Sequence, residues 1–303
     1  MKKITTLIAI ISLNTLLFSQ KNNTSAETFL NVDQNYINSL GEGQHDIVED
    51  LKLDTFKDRF NFLNENTNLN IDYNEITYAY AKKYLSYRWF GKIIGLSAYY
   101  FPLFESKLAQ YGLPLELKYL AVVESNLNPR AGSWAGAKGL WQFMPTTGKE
   151  MGINKNDYID IFYDPVGNTD AAVRYLKILY KELGDWNLAI SAYNCGAGNV
   201  RKAIKRAGSR NYWKVRPYLP KETQAYVPSF IAVNYMFNFY KEHNIKAMYF
   251  KYSFLDLKMI KTNKNTSFEE LARQFDYALL KFANPQFTTS FIPKGSIVYV
   301  YKK

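Results

Sequence analysis

The sequence predicts a mainly α-helical domain over residues 73–245, followed by a small strand–helix–helix–strand (βααβ) module over residues 249–303. Three observations carry this reading. Between Tyr73 and Tyr240, apolar and aromatic residues recur three and four apart, as in Tyr80 and Tyr84, Phe101, Phe104 and Leu108, or Val173, Leu176, Tyr180 and Leu183. That spacing lines one face of a helix. Proline stands where helices open, at Pro114, Pro165 and Pro220, and glycine where they close, at Gly184 and Gly196. From about Met248 the pattern turns to short strand-like runs around a capped helix.

Taken from its start, the chain opens on Lys2 and Lys3, then an apolar run from Ile4 to Phe18. A basic start and a short apolar run make residues 1–20 a secretory signal peptide rather than a membrane span. Cleavage near Gln20 or Lys21 is expected. No Cys lies beside that point, so the product is expected to be exported, periplasmic and without a lipid anchor. Residues 21–72 are rich in Asn and Asp with weak periodicity, and read as a polar linker or arm with one short helix near Asp46 to Leu53. Two helices follow between Tyr73 and Tyr111. Their aromatic residues read as packing.

The next helix is expected at Leu115–Ser125, opened by Pro114, with Pro129 just beyond its end. Leu117, Leu120, Ala121 and Glu124 fall on one face of it, so a carboxyl shares the stripe that enters the core. Partial desolvation and the negative helix end would both raise the pKa of Glu124. A carboxyl that keeps its proton near neutrality suits a general acid acting on a poor leaving oxygen, as in glycosidic bond cleavage. A structural cap or ion pair at a helix end is the other reading, and spacing alone does not choose between them.

Gly132, Gly136 and Gly139 then form a small-residue loop that runs into Gly139-Leu140-Trp141-Gln142-Phe143-Met144-Pro145. Here an aromatic surface and an amide stand together, a pairing that suits sugars. After it, either a Thr147/Glu150 capping box or Pro145 starts a helix. Asp164-Pro165 opens a helix that ends at Gly184, and a further one spans about Asn187 to Asn194. Tyr193 and Asn194 close that helix, pointing into a cleft or, for Asn194, capping the end. Pro220 opens a long helix to about Tyr240, bent or interrupted at Pro228, with Glu222 and Tyr226 on one face. Glu222 is the only other acid to consider for the site, although a first-turn Glu also serves as a dipole partner.

Composition limits the chemistry. The 303 residues are 47% hydrophobic with a net charge of +11, enough for one sizeable core and a smaller module. An exported basic protein favours anionic cell-wall or membrane surfaces over nucleic acid, or its charge serves solubility alone. The one cysteine, Cys195, excludes an intramolecular disulfide and reads as a packed small residue. With only His45 and His243, no zinc cluster is expected. The basic run Arg201 to Arg210 reads as a solvated helix face.

Four motifs then stand in one order: Glu124-Ser125; Gly139 to Pro145; Ala192-Tyr193-Asn194 with Gly196 and Gly198; and Glu222-Thr223 to Tyr226-Val227-Pro228. In order and spacing they resemble the family 1 lytic transglycosylases (SLT domain), most closely the membrane-bound lytic murein transglycosylase D subgroup. Ser267 to Gly295 more weakly resembles the LysM-like region of that subgroup. The resemblance implies a lysozyme-like fold that cuts peptidoglycan glycan strands between N-acetylmuramic acid and N-acetylglucosamine. It implies Glu124 as the lone catalytic residue and Ser125, Gln142, Tyr193, Asn194, Glu222 and Tyr226 as substrate-binding residues. It implies no cofactor and no metal, a monomer, and peripheral outer-membrane association as an open alternative. A muramidase that hydrolyses the same bond, and a glycan-binding protein that cuts nothing, are the competing readings.

Overall fold

The computed structural model describes residues 44–45, 52–67, 69 and 71–301. The expected signal peptide, and nearly all of the short helix expected near Asp46 to Leu53, lie outside the described residues. Strand β1 (Gln44–His45) pairs antiparallel with residues Ile245 and Lys246. Helix α1 (Leu53–Glu65) occupies part of the stretch expected to be a polar arm. Its Phe56, Phe60 and Leu63 are buried, as are Leu69 and Ile71 after it. Phe56 and Phe60 both stack on Tyr235, with ring centroids 5.0 and 5.1 Å away. Three apolar residues at i, i+4 and i+7 suffice for a core-facing stripe although the rest of the helix is polar. Phe56, Phe60, Leu63, Leu69 and Ile71 therefore belong to the main core, within the stretch expected to be a linker or arm.

Helices α2 (Glu75–Leu85) and α3 (Phe90–Gln110) are the pair expected between Tyr73 and Tyr111. Asn74 caps α2 in a reciprocal box: its Oδ1 accepts from the backbone N–H of Ile76 and Thr77, while Thr77 Oγ1 accepts from Asn74 N–H. The single helix expected at Leu115–Ser125 divides into a 3₁₀ turn, Leu115–Lys118, and α4 (Tyr119–Ser125). Such turns are frequent where a helix opens. Helix α5 (Pro145–Glu150) starts on Pro145, not at a Thr147 cap, because Met144 before it is extended.

Helix α6 (Pro165–Leu183) has the expected bounds, with Asp164 accepting from Gly167 N–H at its start and Gly184 at φ 65° past its end. Tyr180, expected to face inward, is 37% exposed and stacks on Trp186 at 4.0 Å. Helices α7 (Trp186–Cys195), α8 (Ala197–Ala207) and α9 (Tyr212–Val215) follow. The basic side chains Arg201, Lys202, Lys205 and Arg206 of α8 face solvent as expected. Helix α10 (Lys221–Phe239) runs through Pro228 without a break. Every residue from Tyr226 to Met236 is buried, and packing against α2, α4 and α7 holds the helix despite the missing N–H.

Strand β2 (Ile245–Lys246) leads to the C-terminal module. The run Tyr249 to Leu257, expected as strand-like, is irregular with a 3₁₀ turn at Phe254–Asp256, since Phe250 and Phe254 turn inward onto Tyr99. The remainder has two strands on each side of its two helices where one was expected: β3 (Lys258–Lys261), β4 (Thr266–Ser267), α11 (Phe268–Leu271), α12 (Tyr277–Ala283), β5 (Phe291–Ile292) and β6 (Ile297–Val300). β3 pairs antiparallel with β6, Lys258 opposite Val300, and β4 pairs with β5. Phe268, Leu280, Phe287, Ile292, Val298 and Val300 form its own small core. The module is also fastened to the helices. Phe282, Ala283 and Tyr299 join the main core, and Asp160 N–H donates to Gln286 O at 2.8 Å. Among the described residues no helix is long and apolar enough to cross a membrane.

Candidate active site

The site begins where α4 stops. Asn126 and Leu127 both take left-handed backbone conformations, φ 52° and 61°, and Leu127 is fully buried. Each costs of order 1 kcal/mol, strain that persists only where the surroundings impose it. The two residues turn the chain away at once, leaving Glu124 on the last turn of α4. Ser125 Oγ lies 2.9 Å from Ala121 O and 2.8 Å from Leu140 O. Its one proton thus serves two backbone carbonyls and ties α4 to the segment Gly139–Pro145, so Ser125 stands here as a positioning residue.

That segment forms a wall. Lys138 and Phe143 exchange both backbone hydrogen bonds, at 3.0 and 3.1 Å. Gly139 has φ 81°, and a Cβ there would lie 1.9 Å from Phe162 O, so both the conformation and the close approach demand glycine. The aromatic surface expected here is not offered to a ligand. Trp141 is fully buried, donating from Nε1 to Thr169 Oγ1 and from its backbone to Asn168 Oδ1, both at 3.0 Å. Phe143 is buried too. Gln142 takes φ 47° and its Nε2 donates to Ala131 O and Gly139 O, at 3.0 and 2.8 Å. The amide nitrogen therefore holds the loop, and Oε1 is the atom it can present.

Helices α7 and α10 close the other sides. Tyr226, buried on α10, donates its hydroxyl to Glu124 Oε1. Tyr193 donates to Trp141 O at 2.8 Å, and stands close enough to Glu124 for the carboxylate charge to help raise its own pKa. Asn194 Oδ1 accepts from Thr223 Oγ1 at 2.7 Å, joining the end of α7 to the start of α10; Gly196, not Asn194, takes the cap position. Cys195 is half-buried beside Thr223, and burial pushes its thiol pKa up. Glu222 is exposed in the first turn of α10 and acts on Glu124 through its charge.

The pKa of Glu124 is pushed up to about 8. Burial is the largest cause, opposed by the hydrogen bond from Tyr226, and the negative charge of Glu222 adds to the rise. Glu124 also lies on the last turn of α4, beside its negative end. Asn126 N–H donates to Val122 O and Ser125 Oγ stands at Ala121 O, so the last-turn carbonyls are partly satisfied. The result is a half-buried carboxyl that holds a proton at neutral pH, with a tyrosine hydroxyl ready to stabilise the anion once that proton leaves. Sequence reasoning did not find Asn168, Thr169 or Thr223 as supports. Their one signal is position: polar residues on helix faces otherwise filled by apolar ones.

Residues 102–216 match the family described as the transglycosylase SLT domain. The chain is 32% identical over 195 residues to membrane-bound lytic murein transglycosylase D of Escherichia coli, covering 62% of this chain and 43% of that protein. It is also 32% identical over 155 residues to membrane-bound lytic murein transglycosylase C of Haemophilus influenzae, covering 45% of this chain and 43% of the relative. The chain thus spans less than half the length of these curated relatives. Among solved structures, the 70-kDa soluble lytic transglycosylase of Escherichia coli overlaps 55% of this chain and 30% of its own, with a TM-score of 0.42 and 24% identity. The stretch that carries Glu124, the Gly139–Pro145 wall and Asn194 is therefore similar to the transglycosylase SLT domain.

Proposed function

We propose that this protein is a peptidoglycan lytic transglycosylase with a lysozyme-like catalytic domain. It cleaves the β-1,4 bond between N-acetylmuramic acid and N-acetylglucosamine without water. Protonated Glu124 gives its proton to the glycosidic oxygen as the bond to the muramyl C1 breaks, and the substrate's own acetamido group stabilises the cation. The Glu124 carboxylate then takes the proton from the muramyl C6 hydroxyl, whose oxygen bonds to C1. The products are a free 4-hydroxyl and a 1,6-anhydro end, and Glu124 is again protonated.

The observation that carries this reading is Glu124 at the end of α4, hydrogen-bonded by the Tyr226 hydroxyl and close to Tyr193, where burial pushes its pKa up to about 8. One carboxyl that starts protonated and is hydrogen-bonded as an anion suits a reaction in which the same group is acid and then base. A hydrolase needs a second carboxylate set at a defined separation. Among the described residues, Glu222 is the acid whose charge acts on Glu124, and its exposed place in a first helical turn favours a substrate-binding role. Gln142 Oε1 and the Asn194 amide hold sugar hydroxyls or acetamides, while Ser125 fixes the wall. Residues 249–303 are a LysM-like module, and the protein works as a periplasmic monomer on glycan strands.

Mass spectrometry of purified peptidoglycan digested by the wild type and by Glu124→Gln tests this directly. Anhydro-muramyl ends from the wild type and none from the variant are expected. Reducing muramic ends instead would make the protein a muramidase, and bound but uncut strands would make it a glycan-binding protein.

A further inference from the structure

The turn between Ala131 and Lys138 carries a tryptophan that no core claims. Trp134 is fully exposed, at 103% of its reference area, whereas Trp141 and Trp186 are buried and Trp89 and Trp213 pack against the main core. An indole left wholly in water forgoes one of the largest burial gains available to a side chain. The turn that holds it is well ordered by its own bonds. Ser133 N–H donates to Ala137 O, Gly136 N–H to Ser133 O and Ala137 N–H to Ser133 Oγ, all at 2.9 Å, and Gly136 takes φ 92° to close the turn. Its base is part of the candidate site: Gly139 N–H and Gln142 Nε2 both donate to Ala131 O, at 2.9 and 3.0 Å. Trp134 and the wall facing Glu124 are therefore one rigid unit.

The surroundings say what such a ring can hold. Its neighbours Gly132, Ser133 and Ala135 are exposed and small. A docked protein needs a contiguous apolar patch around its anchor, and the small residues beside this indole in the turn add none. A single flat ring with both faces clear fits the C–H face of one pyranose, whose hydroxyls stay in water. Holding the ring on a fixed turn removes the ordering cost at the moment of binding. We propose that Trp134 is a stacking platform for a pyranose of the glycan strand outside the two sugars whose bond Glu124 attacks; this rests on the glycan-cleaving reading.

The test uses the full chain in the Glu124→Gln background, with peptide-free glycan strands as probe. Binding is measured by calorimetry, and iodide quenching of tryptophan fluorescence reports the exposed indole. Strands are expected to shield the fluorescence from iodide. Trp134→Ala is expected to weaken binding on the order of 5- to 10-fold, while Trp134→Tyr restores it to within about 2-fold. Because the side chain is exposed, the melting curves of these variants should coincide with that of the parent. Equal strand binding with and without Trp134 overturns the platform and leaves the glycan reading intact. Shielding by phosphatidylglycerol vesicles but not by strands also overturns it, in favour of a membrane contact. If Glu124→Gln binds no strands and the wild type leaves them uncut, the glycan reading fails and the platform falls with it.

Discussion

The Tyr226 hydroxyl donates a hydrogen bond to Glu124 Oε1 across 102 positions of sequence, so α10 supplies the one donor that reaches the candidate acid directly among the described residues. The contact opposes the effect of burial on Glu124. It therefore favours the anion and lowers a pKa that would otherwise be higher still.

Tyr226→Phe separates that bond from the packing, since the ring stays and only the hydroxyl leaves. Loss of the donor raises the pKa of Glu124 further, so the alkaline limb of the activity profile should move to higher pH. The maximal rate should fall by roughly 10- to 100-fold, because the carboxylate formed on proton transfer loses its partner. Turnover of purified peptidoglycan against pH checks both. An unchanged alkaline limb would show that the hydroxyl does not act on Glu124.

Glu124→Gln should stabilise the protein, and by an amount that depends on pH. A carboxyl raised from 4.5 to about 8 stays protonated in the native state over a range where the unfolded chain has lost its proton. The native state then binds more protons, and stability falls as pH rises through that window. Replacing Glu124 by a neutral amide removes this loss. The gain should be absent at pH 4, grow between about 5 and 8, and reach on the order of 1–3 kcal/mol after allowance for the partial exposure of the side chain. Urea unfolding at pH 4, 6 and 8 measures it, and a gain that does not vary with pH would contradict a carboxyl that is neutral in the native state.

Much of this site is legible in the sequence because local rules govern it. Asp164-Pro165 and Gly184 mark their helix, and i, i+3, i+4, i+7 spacing sets Glu124 among buried residues. What spacing does not carry is the partner on another helix. That Tyr226 rather than Ser125 meets the carboxyl depends on how α4 and α10 cross. Trp141 shows the same limit: an aromatic beside an amide reads as a sugar surface, yet Thr169 and Asn168 on α6 draw it into the core. Helix α1 went unread because its three core residues sit among ten others that are mostly polar, too weak a stripe to stand out until Tyr235 stacks on it.

Gly139→Ala should cost more than Gly136→Ala, although both glycines have positive φ, 81° and 92°. At Gly136 nothing lies within 4 Å of a new Cβ, so only backbone strain of about 1 kcal/mol is added. At Gly139 the methyl would stand 1.9 Å from Phe162 O, a backbone atom that cannot swing aside. A loss of about 3 kcal/mol or more, with displacement of Gln142 and loss of activity, is expected. Chemical denaturation of the two variants side by side decides whether the wall is held by this contact.

Asn284 decides whether the C-terminal module unfolds with the helices or apart from them. Its side chain is fully buried, donating from Nδ2 to Tyr299 O at 2.7 Å and to Leu280 O at 2.8 Å, and accepting from Tyr299 N–H at 2.8 Å. It therefore fixes β6 against α12. Tyr299, so placed, donates its hydroxyl to Asp164 Oδ1 at 3.1 Å, at the cap of α6. Asn284→Ala leaves three buried backbone groups without a partner, which should cost about 2–4 kcal/mol, and Tyr299→Phe about 1–2 kcal/mol. Because Phe282, Ala283 and Tyr299 lie in the main core, scanning calorimetry should show one transition that shifts as a whole in each variant. A second, earlier transition confined to the module would mean that the shared core does not couple the two.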